Sequence, residues 1–424
     1  MIRCLMLLSS LFAGQVETPA GEELKNEVQR LVRQLDAPEL AQREAAEAEL
    51  LNRGPAVLDL LPTTDRASAE VQQRLDRVRQ KLQQQAADAA AQPSLVTLQA
   101  DVMPLSKVLA AFSRQSGNAI VDYRKKFNQP VTEPALIVHF DKTPFWPALD
   151  QVLDQAKLTI YPFAQRPAIH VVAAAEGKRS ARSGRAGYSG PFRFEAIGVV
   201  ARRDLRRGEG SLVVSVETLW EPRLRIIGLS QRMADVTATD EHGRPLPVAD
   251  REAQLEIPVS GDAPAVKLDL PLRLPSRDVR RIASLKGKLQ AMIPGRIETF
   301  RFGKLAGAKN VEQRIAGVTV TLEQVEKNNE LWKVRMHARF DDAGDALASH
   351  RTWIFNNPAC LESPDGKPIA YSAYETTRQG KNEVGVAYVF NTDQPLDKLT
   401  FVYKTPGTIV NSGFDYELKN IELP

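Results

Sequence analysis

Cysteine is almost missing from this 424-residue chain: only Cys4 and Cys360 occur, and Cys4 falls in a segment expected to be removed. An intramolecular disulfide framework is therefore excluded, and the fold must rest on its apolar cores. Histidine is scarce too. His139, His170, His242, His337 and His350 show no H-x-H or H-x₃-H spacing, and none has a cysteine nearby, so no zinc-site pattern is present. Aromatic residues make up 6% of the chain, with no clustered platform beyond Trp332 and Trp353. After the N-terminus no apolar run approaches eighteen residues, so no transmembrane segment is expected in the mature chain. A nucleophile elbow is also lacking: Ser189 lies in GYSGP, and Cys360 follows Asn357-Pro358 with no histidine close in sequence. Neither catalytic residues nor a cofactor site are expected, and the chain reads as a non-enzyme.

What remains is ordinary for a multidomain globular protein, at 43% hydrophobic and 25% charged residues. The formal net charge is +4, too small for a field that drives the whole chain onto nucleic acid. That charge is concentrated, however, with nine Lys/Arg against four Asp/Glu between Glu176 and Gly210. Arg3 followed by the apolar stretch Cys4–Phe12 reads as an export signal over residues 1–20, which places the mature chain in the periplasm or cell envelope. Residues 22–92 are helical by periodicity. Leu24, Val28, Leu31, Val32 and Leu35 form one stripe, and Leu40, Ala45, Ala48 and Leu51 form another. Gly54-Pro55 breaks the pattern before a short helix at Val57–Leu61, and Ser68–Gln92 follows, its last residues fraying into a linker. LDAPELAQREAAEAELLNRGPAVLDLLP resembles a single HEAT-type helical hairpin, which reads as a cap rather than a solenoid.

Residues 95–174 carry a strand–helix–strand unit written twice at an offset of forty. Asp101 and Pro104 align with Asp141 and Pro144, Leu109 with Leu149, and Ile120 with Ile160. Leu105, Val108, Leu109 and Phe112 mark one buried helix face, and Leu149, Val152, Leu153 and Ala156 mark its counterpart. Strands are expected at 95–99, 118–123, 135–140, 158–163 and 168–173, giving two helices on one small mixed sheet. Pro144 and Pro147 leave the start of the second helix open, because Pro147 would remove a donor from a helix begun at Thr143. VTLQADVMPLSKVLAAFSRQSGNAIV, HFDKTPFWPALDQVLDQAKLTIY and AIHVVAA resemble the short N-terminal domain of secretins and TonB-dependent signalling receptors, over residues 94–174. The resemblance implies a protein–protein docking domain. No barrel or secretin core is read after residue 174, so it names no partner.

Residues 175–190 read as a basic, Gly/Ser-rich linker, and its Gly184, Gly187 and Gly190 follow no P-loop pattern. From Phe192 the chain alternates like β-structure, and a second duplication appears. Ile197-Gly198-Val199 matches Ala316-Gly317-Val318, and Leu212–Val216 matches Leu331–Arg335, both at an offset of 119. DEHGRPL (240–246) matches SPDGKPI (363–369) at 123, with hairpin turns at His242-Gly243 and Asp365-Gly366. ETFRF (298–302) and FDYEL (414–418) read as the closing strands of two sandwiches, 191–306 and 310–424. The expected fold is thus multidomain α+β: a helical segment, a small β-α-β-β-α-β-β domain and two tandem all-β sandwiches.

Two charged clusters are candidate sites. Arg202, Arg203, Arg206 and Arg207 form a partner-binding candidate for acidic polysaccharide, phospholipid headgroups or an acidic protein. The aligned segment 322–329 of the other copy is not basic, so the fold does not require the charge. Asp341, Asp342 and Asp345 are a Ca²⁺ candidate lacking EF-hand or RTX spacing, and a solvated loop explains them as well. The functional expectation is an exported, non-catalytic envelope protein that docks onto protein partners in a secretion or signalling assembly. Its alternatives are a carbohydrate- or surface-binding β-sandwich protein and an enzyme with an unrecognised site.

Overall fold

The computed structural model describes residues 19–62, 68–164, 166–175, 186–206, 208, 210–259, 263–328, 331–341, 343–344, 346–348 and 351–424. Most of the expected signal segment (1–18), linker residues 176–185 including Gly184, and Arg207, Asp342, Asp345 and His350 lie outside them. The fold is mixed α+β, helical at the N-terminus and then built mainly of strands in several sheets. It divides into two units, residues 1–85 and 86–424.

In the first unit, helices α1 (Pro19–Gln34), α2 (Leu40–Asn52) and α3 (Ala69–Ala90) flank a short 3₁₀ turn at Pro55–Leu60. Val28, Leu31 and Leu35 meet Ala46, Leu50, Val57, Leu75, Val78 and Leu82 in its core. The stripe expected on α2 is displaced: Ala46 and Leu50 are buried, while Leu40 is exposed. Alanine alternates with glutamate along α2, so its apolar period alone does not choose a face. Nor does α3 fray. It stays helical to Ala90, past the division at residue 85, and Ala90 and Ala91, themselves residues of the second unit, belong to that unit's own core.

The second unit begins with the duplicated α/β domain: β1 (Leu95–Pro104), α4 (Leu105–Ser116), β2 (Ile120–Asp122), β3 (Ala135–Pro144), α5 (Phe145–Ala156), β4 (Leu158–Ile160) and β5 (Ile169–Ala173). The repeat is visible as a local two-fold axis. β1 and β3 pair antiparallel with Gln99 opposite its own counterpart His139. The N–H of Leu105 donates to Pro134 O, and that of Phe145 to Ser94 O. Gln115 brackets the backbone of Thr97 at 2.9 Å on both sides, and Gln155 brackets Ile137 in the same way. The single mixed sheet is not found. β1 and β3 form one sheet, and a second has the order β2-β5-β4, with the closing strand β5 between two equivalent short ones. Helix α5 starts at Phe145, so Pro147 falls in the first turn, where no intrahelical bond is lost.

β6 (Gly187–Ser189) pairs with β7 (Phe192–Arg203), so the end of the expected linker is a strand. β8 (Gly210–Trp220), β9 (Gly228–Arg232), β10 (Thr237–Asp240), β11 (Gln254–Ile257), β12 (Ala265–Arg273) and β13 (Arg281–Pro294) complete the first run. The second run is β14 (Ile297–Phe302), β15 (Lys309–Ile315), β16 (Val318–Asn328), β17 (Leu331–Phe340), β18 (Ala359–Glu362), β19 (Pro368–Ala370), β20 (Ala373–Gln379), β21 (Glu383–Asn391) and β22 (Thr400–Pro406), and then comes β23 (Ile409–Glu422). Sheet β12-β8-β7-β6 packs against a sheet of β9, β10, β11, β13 and β23 in the first sandwich. Sheet β14-β22-β18-β19 packs against β15-β16-β17-β21-β20 in the second.

The closing strands are exchanged. β14 pairs with β22 in the second sandwich, and β23 pairs with β13 in the first. One antiparallel ribbon runs through both sandwiches without a change of register, from Arg281↔Glu422 to Phe302↔Phe401. Its middle is closed by Gly295 N–H to Thr408 O and Gly407 N–H to Arg296 O. ETFRF and FDYEL are therefore equivalent strands, as expected, but each completes the other copy, so the division at 306/310 does not separate two self-contained sandwiches. The offset of 123 holds at the turns: Gly243 and Gly366 sit at φ +77 and +78 with the same pair of backbone hydrogen bonds. The match of 212–216 to 331–335 does not hold. Leu212, Val214 and Val216 are buried, whereas β17 buries Val334, Met336 and Ala338. An odd slip in a strand alignment exchanges its two faces.

Residues 95–174 are fastened to the first sandwich. Glu221, fully buried, accepts from Ser94 N and Oγ, Asn118 Nδ2 and Arg223 Nε at 2.6–2.9 Å. Trp146 Nε1 donates to Pro191 O at 2.8 Å. Gly190 turns between β6 and β7 at φ +53, and a methyl there would lie 2.7 Å from the Ala91 carbonyl oxygen. Gly187 and Gly190 thus serve close packing, not phosphate binding.

Candidate functional site: an aromatic and cationic cleft

Strand β2 ends at Asp122, and the chain then turns through Tyr123-Arg124-Lys125-Lys126-Phe127. Arg124 is the clamp of this turn. It is buried, donates from Nε and Nη2 to Asp122, and reaches Thr132 O at 2.9 Å from Nη1. Burial pushes the Asp122 carboxyl up, but the hydrogen bonds and charge of Arg124 outweigh it and hold the group below its usual range. The turn closes at Asn128 in the left-handed region. Two backbone bonds then tie the aromatic residues to β5, Tyr123 N–H to Val171 O (2.8 Å) and Tyr161 N–H to His170 O (2.7 Å).

These anchors line up four rings. Centroids are 6.4 Å apart for Tyr123–Phe127, 4.9 Å for Phe127–Tyr161 and 5.5 Å for Tyr161–Phe163. Lys126 Nζ stands 4.5 Å from the Tyr123 ring centre. With Ala164 and Arg166 they line an open cleft of about 310 Å³. Phe163 is 74% exposed and Phe127 43%, so the cleft keeps apolar ring surface in water beside two cations. Beneath it, His170 packs against Tyr123 at 4.1 Å and is 2% exposed, and its Nε2 has no hydrogen-bond partner among the described residues. Burial lowers its pKa, and Lys126 and Arg166 lower it further, so the ring is neutral at pH 7. The lining residues offer ring faces, cationic donors and no carboxylate. That combination suits a ligand carrying an aromatic group next to an acid.

The residues singled out from sequence lie elsewhere. Arg202 and Arg203 end β7, and Arg206 follows in its hairpin with β8; all three are exposed. Asp341 is committed to Arg314 at 2.6 Å, and among the described residues no group of three His, Cys, Asp or Glu is placed to hold a metal. Cys360 is half-buried, and burial and then Glu362 push its thiol pKa up, away from nucleophilic character. His139 is a half-exposed strand residue bonded to Gln99, His337 faces Glu323 at 2.9 Å, and His170 is buried rather than half-buried. Trp353 is used by the core of the second sandwich, its Nε1 donating to Ala346 O at 2.6 Å.

Comparison with protein-family models, curated proteins and solved structures finds no match to this chain. The cleft therefore stands on its own geometry. Sequence reading missed it because the rings come from two short loops. A signal was present, however: YRKKF at 123–127 and YPFAQR at 161–166 each place two aromatic residues close to basic ones. No helix among the described residues is long and apolar enough to cross a membrane.

Proposed function

We propose that this chain is a non-catalytic docking protein of the cell envelope, and that it captures an acidic, aromatic-bearing segment of a partner protein in the cleft of residues 123–127 and 161–166. The observation that carries this reading is the ring row Phe127–Tyr161–Phe163, exposed at Phe127 and Phe163, beside Lys126 and Arg166. Aromatic anchors with a cationic rim are the usual makings of a binding hot spot. The resemblance of residues 94–174 to the secretin and TonB-dependent receptor short domain adds a fold whose role is docking, and the signal-like N-terminus adds the compartment.

The test uses the full chain, because the α/β domain shares buried polar contacts with the first sandwich. A photo-crosslinking amino acid at Phe163 in the producing cells should yield one discrete protein adduct. K126E together with R166E should abolish that adduct without changing thermal stability. A smear of glycan, or an adduct indifferent to both charge reversals, would favour the polysaccharide-binding alternative and defeat this one.

A further inference from the structure

The β7–β8 hairpin presents a combination that neither the fold nor the cleft uses. Leu205 at its tip is 89% exposed, and Val200 and Ile197 on the same hairpin are 61% and 52% exposed. Arg202 and Arg203 stand in register with Ser211 and Gly210, so the ladder is regular from Gly198 to the tip and holds both at set positions. Arg206 follows Leu205, and its N–H is held by Asp204 Oδ1 at 2.8 Å. None of the three guanidinium groups makes an ion pair with a described residue. Folding gains nothing from a leucine at such a tip, nor from three cations around it that pair with no described residue. The β16–β17 hairpin of the second sandwich does without this combination, reaching its turn through Glu326, Lys327 and Asn328.

We propose that this hairpin tip is a membrane-surface contact for anionic phospholipid. It matches a flat interface, with Leu205 entering the headgroup–acyl boundary and Val200 following at its edge. Arg202, Arg203 and Arg206 then meet lipid phosphates, where the planar guanidinium makes paired hydrogen bonds. The occupant is chosen by charge complementarity and by the apolar tip together. A soluble acidic polymer would satisfy the arginines and leave Leu205 in water.

Flotation of the full-length protein with vesicles tests this. Mixed phosphatidylglycerol/phosphatidylcholine vesicles should bind it, pure phosphatidylcholine vesicles should not, and added salt should release it. Each of R202Q, R203Q and R206Q should weaken partitioning roughly fivefold, the contribution of one basic residue near an anionic surface. L205D should weaken it at least as much, while L205W should retain binding and shift its emission to the blue only with the mixed vesicles. Equal binding to both vesicle types, no flotation with either, or indifference to the arginine substitutions would each overturn the proposal. So would L205D binding like the wild type, which would leave only a charge contact. These side chains are exposed, so unchanged melting temperatures will show that the variants are folded.

Discussion

Asp150 Oδ2 lies 2.8 Å from Arg193 Nε, with both side chains sealed from solvent between helix α5 and strand β7. Tyr188 donates its hydroxyl to the same oxygen at 2.7 Å, and Arg193 reaches on to Glu195 at 2.7 Å. Burial would lower the Arg193 pKa, but Asp150 and Glu195 raise it, so the charge is locked in. Breaking one side of a buried pair strands the other charge. D150A should cost about 3–5 kcal/mol, read from the urea midpoint, while D150L combined with R193M should recover most of it. A cost near zero for D150A would show the joint to be hydrated.

The exchanged ribbon makes a non-local prediction. Ending the chain at Thr408 removes β23, and with it Phe414 and Tyr416, which pack 4.5 Å from Phe192 and Phe194. Amide exchange should then accelerate in β7 and β13, while β16 and β17 stay protected. The point substitution F414A should cost about 3–5 kcal/mol, as for other buried phenylalanines. Loss of protection in the second sandwich instead would mean that β23 serves its sequence neighbours.

The two halves of the α/β domain end their helices differently, on Gly117 at φ +71 and on Lys157 at φ +55. A lysine pays for the left-handed conformation where glycine does not. K157G should therefore stabilise the protein by roughly 0.5–1 kcal/mol, and G117K should destabilise it by roughly 1 kcal/mol. Differential scanning calorimetry checks both signs.

His170 predicts a pH dependence. Its folded pKa lies below the unfolded value of 6.5, so below that pH the unfolded chain takes up the proton first. Stability should accordingly be flat above neutrality and fall as the pH drops through 6.5 towards the folded pKa. H170F, which keeps the ring packing against Tyr123 without a titrating group, should flatten that part of the profile. Melting temperatures of both proteins at pH 7.5 and 5.5 make the comparison.

The α/β duplication was legible because it is carried by short-range chemistry. The helix faces and the Asp101/Asp141 and Pro104/Pro144 pairs repeat with the offset of forty, and local rules read them, while the start of the second helix, left open by Pro144 and Pro147, and its stop at Lys157 had no such signal. The division of the domain's strands into two sheets was not legible, because pairing across a two-fold axis is a long-range choice. The 119-residue match failed through parity, since a similar composition in β8 and β17 hides which face each residue occupies. Equivalence between ETFRF and FDYEL was readable, but no local signal says which copy an equivalent strand completes. Of the sites, the arginine run was visible as a block of charge. The cleft was not, because Phe127 and Tyr161 become neighbours only once β5 lies between β2 and β4.

The ribbon also sets an order in time. Polypeptides are made and exported from the N-terminus, and at roughly 5–20 residues per second the interval between Pro294 and Ile409 takes on the order of 6–25 s. For that interval β13 waits with one edge open and the aromatic face of β7 uncovered. The first sandwich is begun early yet finished only by β23, after the whole β14–β22 run has been made. A chain that stalls late in synthesis therefore carries a complete set of instructions for its second sandwich and an unfinished first one.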